Sequence, residues 1–337
     1  MRPGSPSTGQ TSGSRPPCRH LGPTLERQSV IAARQTITRR RDNAPNDHDV
    51  LVRADGASAV ASVRRVRVGI HLPQYGRAAG PDAVRAAAQR AEALGFSDVW
   101  VSDHIVQPVG QDYPSPYLFD PLVTLTWAAA VTERIGLGTS VVVAPQHNPL
   151  WLANAFASLD ALSNGRVTLG LGVGWSQGEF DALGYTFHDR GARTDEIIDI
   201  LRACWHDDPT SYEGRHYRFS ELRLLPKPAH DIAIWVGGRA EAALRRGVTK
   251  GDGYQLLGMK PEEAAPVVTR LRRDRPEDTF TISLRTGWDP QGMDPGLIRD
   301  ERAAFAEAGI QHVVSAPWRS DLDAWLASMD QLAGLVL

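Results

Sequence analysis

The feature that most constrains the fold of this chain is a regular alternation of short apolar segments and longer helical segments across its last 272 residues. Short runs rich in Val, Ile, Leu and Trp predict buried parallel strands, and segments bounded by Pro, Asn or Gly predict the helices between them. The predicted strands are Val66–Leu72, Asp98–Val101, Ile135–Val143, Val167–Val173, Ile232–Val236, Asp252–Leu257, Phe280–Thr286 and His312–Ala316. The predicted helices are Pro81–Leu94, Pro121–Thr132, Leu150–Leu162, Arg193–Trp205, Ala240–Val248, Pro261–Arg272, Leu297–Ala308 and Leu322–Leu332.

Eight strands alternating with eight helices predict an α/β fold, a (β/α)8 TIM barrel, which typically takes about 250 residues. A doubly wound sheet is the alternative, but it seldom has eight such regular repeats, and no GxGxxG sequence follows the first strand. The longest departure from the alternation is 207–230, which we interpret as an insertion between strands four and five. In such a barrel the active site lies at the carboxyl ends of the strands.

The charge distribution separates an amino-terminal tail from this barrel. Residues 1–65 hold eleven Arg, no Lys and five acidic residues, a formal charge of +6, whereas the remaining residues carry −8. The segment 1–62 is rich in Ser, Pro, Gly, Arg and Ala and lacks an apolar period, which predicts a disordered tail. A transit peptide, an over-extended start and a basic arm for an acidic partner stay open as interpretations. We place the catalytic domain at 63–337.

Composition excludes several classes of protein. No apolar run reaches the roughly 18–20 residues of a membrane span. Cys18 and Cys204 lie far apart without metal-type spacing, which argues against a disulfide framework and fits a reducing cytoplasm. The acidic barrel argues against general nucleic-acid binding. We therefore expect a cytoplasmic protein that binds neither membranes nor nucleic acid.

An acid and an imidazole follow the second predicted strand directly, as Asp103 and His104. An imidazole titrates near neutrality and suits proton transfer, so the pair is a candidate catalytic site. The alternative is a helix-capping Asp beside a structural His. A metal-dependent hydrolase is the competing class, but strand one offers a lone His71 rather than a His-x-His pair, so we expect no metal site.

Two glycine-rich turns end predicted strands, at Gly170–Gly174 and at Gly237-Gly238 before a helix. Glycine allows a ligand to approach the backbone closely, and a helix amino terminus binds phosphate, so two such turns favour a phosphate-bearing cofactor. Aromatic residues crowd the predicted mouth and suit a flat ring and an apolar substrate. They are Tyr75, Trp100, Trp127, Trp151, Trp175 and Trp318. The expected substrate-pocket residues are His71, Gln74, Trp175 and Trp318.

The order of several motifs resembles the bacterial luciferase-like monooxygenase superfamily, in its branch that uses coenzyme F420, a deazaflavin. The resemblance covers about residues 66–320. It is carried by the segments Val99–His104, Tyr117–Leu122, Thr132–Ser140, Leu159–Arg166, Gly172–Trp175 and Ile234–Gly238. The family fold is a (β/α)8 barrel with an insertion, in agreement with the count of strands and helices.

The resemblance also implies roles for individual residues. Asp103 is expected to contact the deazaflavin ring, and His104 to donate a proton or to position the reacting groups. Ser140-Val141 is expected to be a non-prolyl cis peptide that forms a bulge against the ring. The remaining expected cofactor contacts, to the ring, its linker and its phosphate, are Gly172, Val173, Gly174, Gly178, Gly237, Gly238 and Arg239.

The implied activity is hydride transfer between F420 and a small organic substrate. Sugar-phosphate dehydrogenases of the family carry a catalytic Glu where this chain has Trp175, which puts that substrate class in doubt. The alternatives are a monooxygenase that uses reduced FMN from a separate reductase, and a non-catalytic cofactor-binding barrel. The expected assembly is a homodimer.

Overall fold

A computed structural model describes residues 66–111 and 113–337. Eight parallel strands alternate with helices along this part of the chain, and a ninth short strand extends the sheet. The strands of this sheet are β1 (Arg67–His71), β2 (Asp98–Val101), β3 (Gly136–Thr139), β4 (Val142–Val143), β5 (Val167–Gly172), β8 (Ala233–Gly237), β9 (Gly253–Leu257), β10 (Thr281–Thr286) and β11 (His312–Ser315). Two further strands, β6 (Thr210–Glu213) and β7 (Arg218–Leu222), form a separate antiparallel hairpin.

The sheet closes on itself into a barrel. The strand order is β3-β2-β1-β11-β10-β9-β8-β5, and β3 pairs with β5 to complete the circle. All these pairings are parallel. The predicted (β/α)8 TIM barrel is therefore confirmed. Because the strands run in one direction, the loops after them converge on one face, where the candidate site residues meet.

The helices pack their apolar sides against the outside of this barrel. They are α1 (Pro81–Leu94), α2 (Pro121–Ala130), α3 (Pro149–Leu162), α4 (Gln177–Leu183), α5 (Arg190–His206), α6 (Glu241–Lys250), α7 (Pro261–Asp274), α8 (Pro295–Glu307) and α9 (Leu322–Val336). Local sequence fixes several boundaries. Pro81 starts α1 and Gly95 ends it in the left-handed conformation, while the side chains of Asp120 and Asn148 cap α2 and α3 by accepting first-turn amides.

Large aromatic side chains fill part of the barrel interior. Trp100 and Trp235 stack with ring centroids 5.3 Å apart, and His312 packs against both. Gly138 and Gly253 make this packing feasible, because a Cβ atom on either would come within 2.6 Å of an indole ring. Trp100, which we expected among the aromatic residues of the mouth, therefore belongs to the core. Trp127 and Trp151 lie half-exposed on α2 and α3, and neither lines the mouth.

The structure departs from the sequence prediction at three places. The predicted third strand is divided into β3 and β4 by a bulge at Ser140-Val141. The predicted insertion at 207–230 contains the β6–β7 hairpin, which the sequence pattern did not reveal. The short helix α4 also went unpredicted, because its seven residues are too few to show a helical period.

The predicted disordered tail, 1–62, lies outside the described residues, so the domain boundary at 63 stays a prediction. Within the described residues, no helix combines the length and the apolarity needed to cross a membrane.

Candidate active site

A pocket of about 630 Å³ lies at the carboxyl ends of the barrel strands. Residues at or after the carboxyl ends of all eight barrel strands line it. They include Tyr75, Asp103, His104, Ser140, Val141, Gly172, Val173, Gly174, Trp175, Gly237, Gly238, Arg239, Arg285 and Trp318. Its volume lies within the usual range of small-molecule and cofactor sites.

A bulge between β3 and β4 forms part of the pocket wall. The peptide bond between Ser140 and Val141 is cis, as the resemblance implied. Ser140 is fixed from three sides. Its amide donates to the Val101 carbonyl at 2.7 Å, its hydroxyl donates to Gln255 Oε1 at 2.6 Å, and its carbonyl accepts from Arg285 Nη1 at 2.6 Å. The bulge is therefore a rigid feature of the pocket.

A chain of buried polar side chains supports the bulge from inside the barrel. Gln255 Nε2 lies 3.4 Å from Ser283 Oγ, which lies 2.8 Å from His312 Nδ1. His312 Nε2 in turn lies 2.9 Å from Asp98 Oδ1. Because a carboxylate only accepts, His312 donates from Nε2 to Asp98. The orientation of Ser140 is thus coupled to groups deep in the core.

The glycines that end β5 and β8 make room for the bulge. A Cβ atom on Gly172 would lie 2.6 Å from Val141 Cγ2, and one on Gly237 would lie 2.7 Å from Val141 Cγ1. Both glycines line the pocket, as predicted. Their lack of a side chain is required first by the packing of Val141 against them, before any contact with a ligand is considered. Gly174 has φ +77°, a conformation that other residues rarely adopt.

Asp103 is buried and holds the neighbouring backbone. Its Oδ2 accepts from the Val143 amide at 2.8 Å and from His147 Nε2 at 2.7 Å. Burial alone would lower the pKa of His147, but the Asp103 carboxylate and the hydrogen bond to it raise the pKa on balance. Oδ1 of Asp103 is buried and has no hydrogen-bond partner in the described part of the chain. One carboxylate oxygen is therefore left to accept a donor from a bound molecule.

His104 is paired with an acid that the sequence analysis did not single out. Its Nδ1 lies 3.1 Å from Glu179 Oε2, and Glu179 Oε1 accepts from the Ile105 amide at 2.8 Å. Glu179 is buried on α4, next to the fully buried Phe180 that anchors this helix. A carboxylate can only accept, so Nδ1 of His104 carries a proton. Its ring lines the pocket, and Nε2 has no hydrogen-bond partner among the described residues. The segment Gly178-Glu179-Phe180, followed by Gly184, was the sequence pattern that could have predicted this helix.

The far end of the pocket is the amino terminus of α6. Gly237, Gly238, Arg239 and Ala240 line it, and Ala240, the residue that precedes the helix, has no side chain that could accept first-turn amides. The exposed Arg239 donates from Nε to the Leu257 carbonyl at 3.0 Å and from Nη2 to the Gly258 carbonyl at 2.9 Å. Amides at a helix amino terminus beside an arginine form an arrangement that binds phosphate.

An arginine that the sequence analysis missed lies at another side of the pocket. Arg285 on β10 contacts the Ser140 carbonyl and lies with its guanidinium carbon 5.2 Å from the centroid of a Trp318 ring. Trp318 also packs against Tyr75, with centroids 5.1 Å apart. A charged residue within an otherwise uncharged predicted strand was the signal that could have identified Arg285.

Three of the predicted site residues do not line the pocket. His71 is completely buried beneath it, donates from Nδ1 to the Leu72 carbonyl at 2.8 Å and accepts at Nε2 from Ser102 Oγ. Gln74 donates to two backbone carbonyls and accepts from the Ser102 amide. Gly178 lies on the exposed side of α4, where a Cβ atom would come within 2.8 Å of Pro108. These residues support the loops around the pocket, and the other predicted site residues line it.

The described residues include no group of three or more His, Cys, Asp or Glu side chains suited to hold a metal ion. The polar groups of the pocket are instead a His–Glu pair, a half-satisfied carboxylate, a helix amino terminus and an arginine. This set suits a phosphate-bearing organic cofactor and proton transfer.

The chain belongs to the luciferase-like monooxygenase family, whose model matches residues 60–287. The predicted membership in this superfamily is thereby confirmed, and it assigns the chain to the oxidoreductases. Among curated relatives, an F420-dependent glucose-6-phosphate dehydrogenase of Kineococcus radiotolerans is 31% identical over 63% of this chain and 59% of its own length. The match therefore spans about three-fifths of that relative. A protein of Mycobacterium tuberculosis without an assigned activity is 31% identical over 74% of this chain and 92% of its own length.

Two solved structures show the same fold. An F420-dependent secondary alcohol dehydrogenase, in complex with an F420–acetone adduct, superposes with a TM-score of 0.66 at 19% identity, over 81% of this chain and 99% of its own. The monooxygenase RslO1 of Streptomyces bottropensis superposes with a TM-score of 0.65 at 21% identity, over 80% and 98%. F420 is thus the cofactor of named relatives, and the family also contains monooxygenases.

Proposed function

We propose that this protein is an F420-dependent oxidoreductase that transfers a hydride between the deazaflavin and a small organic substrate. The observation that carries the proposal is that His104, which is paired with Glu179, lines one pocket together with the Ser140-Val141 bulge and the amino terminus of α6. A proton-transfer group, a rigid wall for a flat ring and a phosphate site are the three parts that such a reaction needs.

The residues of the pocket fit this cofactor. The bulge offers a ring-sized surface, and the buried Oδ1 of Asp103, which has no partner among the described residues, can accept a hydrogen bond from a ring N–H. Gly172, Val173 and Gly174 would lie along the ring and its linker. Gly238 and Arg239, with the first turn of α6, would hold the phosphate. These roles rest on the positions of the residues in one pocket.

His104 is the proposed proton acceptor and donor. F420, when bound, supplies a carbon that gives or takes a hydride. Nε2 of His104 would accept the proton of a substrate hydroxyl as the substrate is oxidised and return it in the reverse direction. Glu179 keeps the accepting nitrogen on the pocket side and stabilises the positive charge that the ring gains. Val143 and the bulge exclude water from the wall behind them.

Similarity to the glucose-6-phosphate dehydrogenases does not by itself assign their substrate class to this protein. Trp175 occupies the position where the resemblance places their catalytic Glu, and the ring of Trp175 packs edge-on against His104 with centroids 6.0 Å apart. Glu179 supplies a carboxylate to the same histidine from α4, four residues further along the chain. A homodimer, a cytoplasmic location and a separate reductase stay predictions.

A cofactor titration tests the proposal. F420 and FMN are added separately to the protein, and binding is followed by quenching of tryptophan fluorescence, to which Trp175 and Trp318 at the pocket contribute. We expect F420 to bind at least tenfold more tightly than FMN. Tighter binding of FMN would favour the monooxygenase alternative, and binding of neither would favour a non-catalytic barrel.

A single substitution separates binding from chemistry. His104→Ala is expected to keep its affinity for F420 and to lose about 10²- to 10⁴-fold in turnover, the usual contribution of a positioned acid–base group. His206→Ala is a matched control, since His206 lies half-exposed at the end of α5. Unchanged turnover in His104→Ala would show that His104 is structural.

A further inference from the structure

Arg285 carries an unbalanced positive charge into the pocket. Its Nη1 donates to the Ser140 carbonyl at 2.6 Å and to Ser102 Oγ at 3.0 Å, whereas its Nη2 is buried and has no hydrogen-bond partner among the described residues. No carboxylate in the described part of the chain forms an ion pair with it. Among the described residues, Asp103 is the only acidic side chain that lines the pocket, and its Oδ2 is engaged by His147.

The groups around Arg285 are neutral. Burial, and beyond it the charge of Arg285, hold the pKa of His71 well below its ordinary value, so this ring carries no charge. Burial raises the pKa of Tyr75, Arg285 opposes this and Tyr113 adds to it, so the phenol keeps its proton. Its buried hydroxyl is close enough to Arg285 and Tyr113 to interact with both, but it makes no hydrogen bond of ordinary geometry with any described residue. Arg285 therefore has no counter-charge in this part of the pocket among the residues that the structure describes.

Aromatic rings define the space in front of the guanidinium. Trp318 packs on Arg285, on Tyr75 and on His71, with the Tyr75 and His71 centroids 5.1 and 5.3 Å from its ring. Trp318 has φ +48°, a left-handed conformation that is uncommon for a large side chain and that tertiary contacts must hold. Two orphan polar groups, Nη2 and the Tyr75 hydroxyl, belong to one apolar-walled cluster.

A buried donor without an acceptor, on a charged group, is unfavourable unless a ligand completes it. An anionic oxygen would satisfy Nη2 and balance the charge, and the Tyr75 hydroxyl could donate to the same group. A planar guanidinium binds a carboxylate in preference to an anion with a single acceptor atom, because two of its N–H groups match the two carboxylate oxygens. The aromatic walls favour an apolar body attached to that carboxylate.

We propose that Arg285, with Tyr75 and Trp318, recognises the carboxylate of an organic-acid substrate, so that the enzyme acts on a carboxylate-bearing alcohol, carbonyl or alkene. This inference rests on the proposed function, which assigns F420 as the cofactor and hydride transfer as the reaction. The subsite is built from the loop after β1, from β10 and from the loop after β11, whereas the phosphate site is built from β8 and α6.

Binding of a matched pair of probes to the F420-loaded protein tests the subsite. Benzoate carries the carboxylate, and benzamide has the same shape without the charge; both are titrated calorimetrically. We expect benzoate to bind at least tenfold more tightly than benzamide, and Arg285→Met to remove that preference while F420 affinity stays within about twofold. Arg285→Lys keeps the positive charge but loses the two parallel N–H groups of the guanidinium, so it should retain part of the preference for benzoate over benzamide. This second variant keeps the test informative if Arg285→Met does not fold.

Arg90→Gln serves as the control, because it removes a positive charge from an exposed pair with Asp330 on the outside of the barrel. Equal affinity for benzoate and benzamide, or an unchanged preference in both Arg285 variants, would overturn the proposal. A large loss of F420 affinity in Arg285→Met would also overturn it, because the guanidinium would then serve the cofactor. If the protein binds no F420, the proposed function fails, whereas the benzoate preference can still be measured on the protein alone.

Discussion

The replacement of Glu179 by Gln is the sharpest test of how the site works. Glu179 accepts two hydrogen bonds, from His104 Nδ1 at 3.1 Å and from the Ile105 amide at 2.8 Å. A glutamine keeps the shape but has one acceptor oxygen and one donor NH2 group. If the oxygen faces the Ile105 amide, the NH2 group faces Nδ1, which must then become an acceptor. The ring proton therefore moves to Nε2, and the pocket loses its proton acceptor.

The size of the effect follows from these two bonds. A hydrogen bond to a charged group contributes about 1.5–3 kcal/mol, and a neutral one about 1 kcal/mol. Each of the two bonds should therefore weaken by about 0.5–2 kcal/mol, so loss of the charge should cost about 1–4 kcal/mol of stability. Each kcal/mol lowers Tm by roughly 2–4 °C for a domain of this size. Turnover should fall by about 10²- to 10⁴-fold, because a wrong histidine tautomer removes the base altogether. F420 affinity should stay unchanged.

The tautomer can be measured without a substrate. Long-range ¹H–¹⁵N NMR spectra of the imidazole rings distinguish an Nδ1-protonated from an Nε2-protonated histidine, and His104→Gln assigns the signal. We expect the Nδ1–H form in the native protein and the Nε2–H form in Glu179→Gln. The same tautomer in both proteins would refute this reasoning.

Glu92→Gln is the matched control for general destabilisation. Glu92 is likewise held by backbone amides, those of Glu133, Arg134 and Ile135, but it lies on α1 outside the pocket. This variant should lose a similar amount of stability and leave both the His104 tautomer and turnover unchanged.

Three further predictions concern the bulge, a buried ion pair and the tail. Gly172→Ala should lower F420 affinity about tenfold and stability by roughly 1–3 kcal/mol, because the new Cβ would lie 2.6 Å from Val141 Cγ2; titration and thermal melting measure both. His147→Gln should destabilise the protein most at acidic pH. The folded pKa of His147 is raised above its ordinary 6.5, so the contribution of its pair with Asp103 is complete below pH 6.5 and disappears as the pH rises through the folded value; thermal melts of both proteins across pH measure it. Deletion of 1–62 should leave F420 binding and the melting temperature unchanged.

Each of these predictions has an outcome that contradicts it. Gly334→Ala, on α9 with no atom near the new Cβ, is the control for Gly172→Ala, and equal F420 affinity in the two variants would show that the bulge has room to move. A difference between the native protein and His147→Gln that grows with pH would contradict the charged pair. Loss of folding in the shortened chain would place part of the fold before residue 63.

Much of the fold was readable because it depends on local patterns. The apolar strands and the Pro, Asn and Gly residues that bound α1 and α3 predicted the alternation. The parallel barrel follows from eight such repeats, since each strand–helix unit must return in the same direction. The hairpin β6–β7 was not readable, because its strands are short, largely exposed and without alternation.

Part of the candidate site was readable for the same reason. Asp103 and His104 follow a strand directly, and the fold places every such strand end at one face. Glu179 and Arg285 were missed because each acts through a contact across the sequence: Glu179 lies 75 residues from His104, and Arg285 lies 145 from Ser140. The glycines at 172 and 237 were assigned to the cofactor, whereas their first partner is Val141.

The sequence by itself determined the barrel, its family and the strand ends at which chemistry can occur. These depend on periodicity, turn residues and short motifs that act within a few residues of one another. Only the tertiary structure decided which nitrogen of His104 faces the pocket, which oxygen of Asp103 is free and that Arg285 has no counter-charge among the described residues. Proton position and charge balance depend on neighbours that are brought together by folding, and distance along the chain does not specify them.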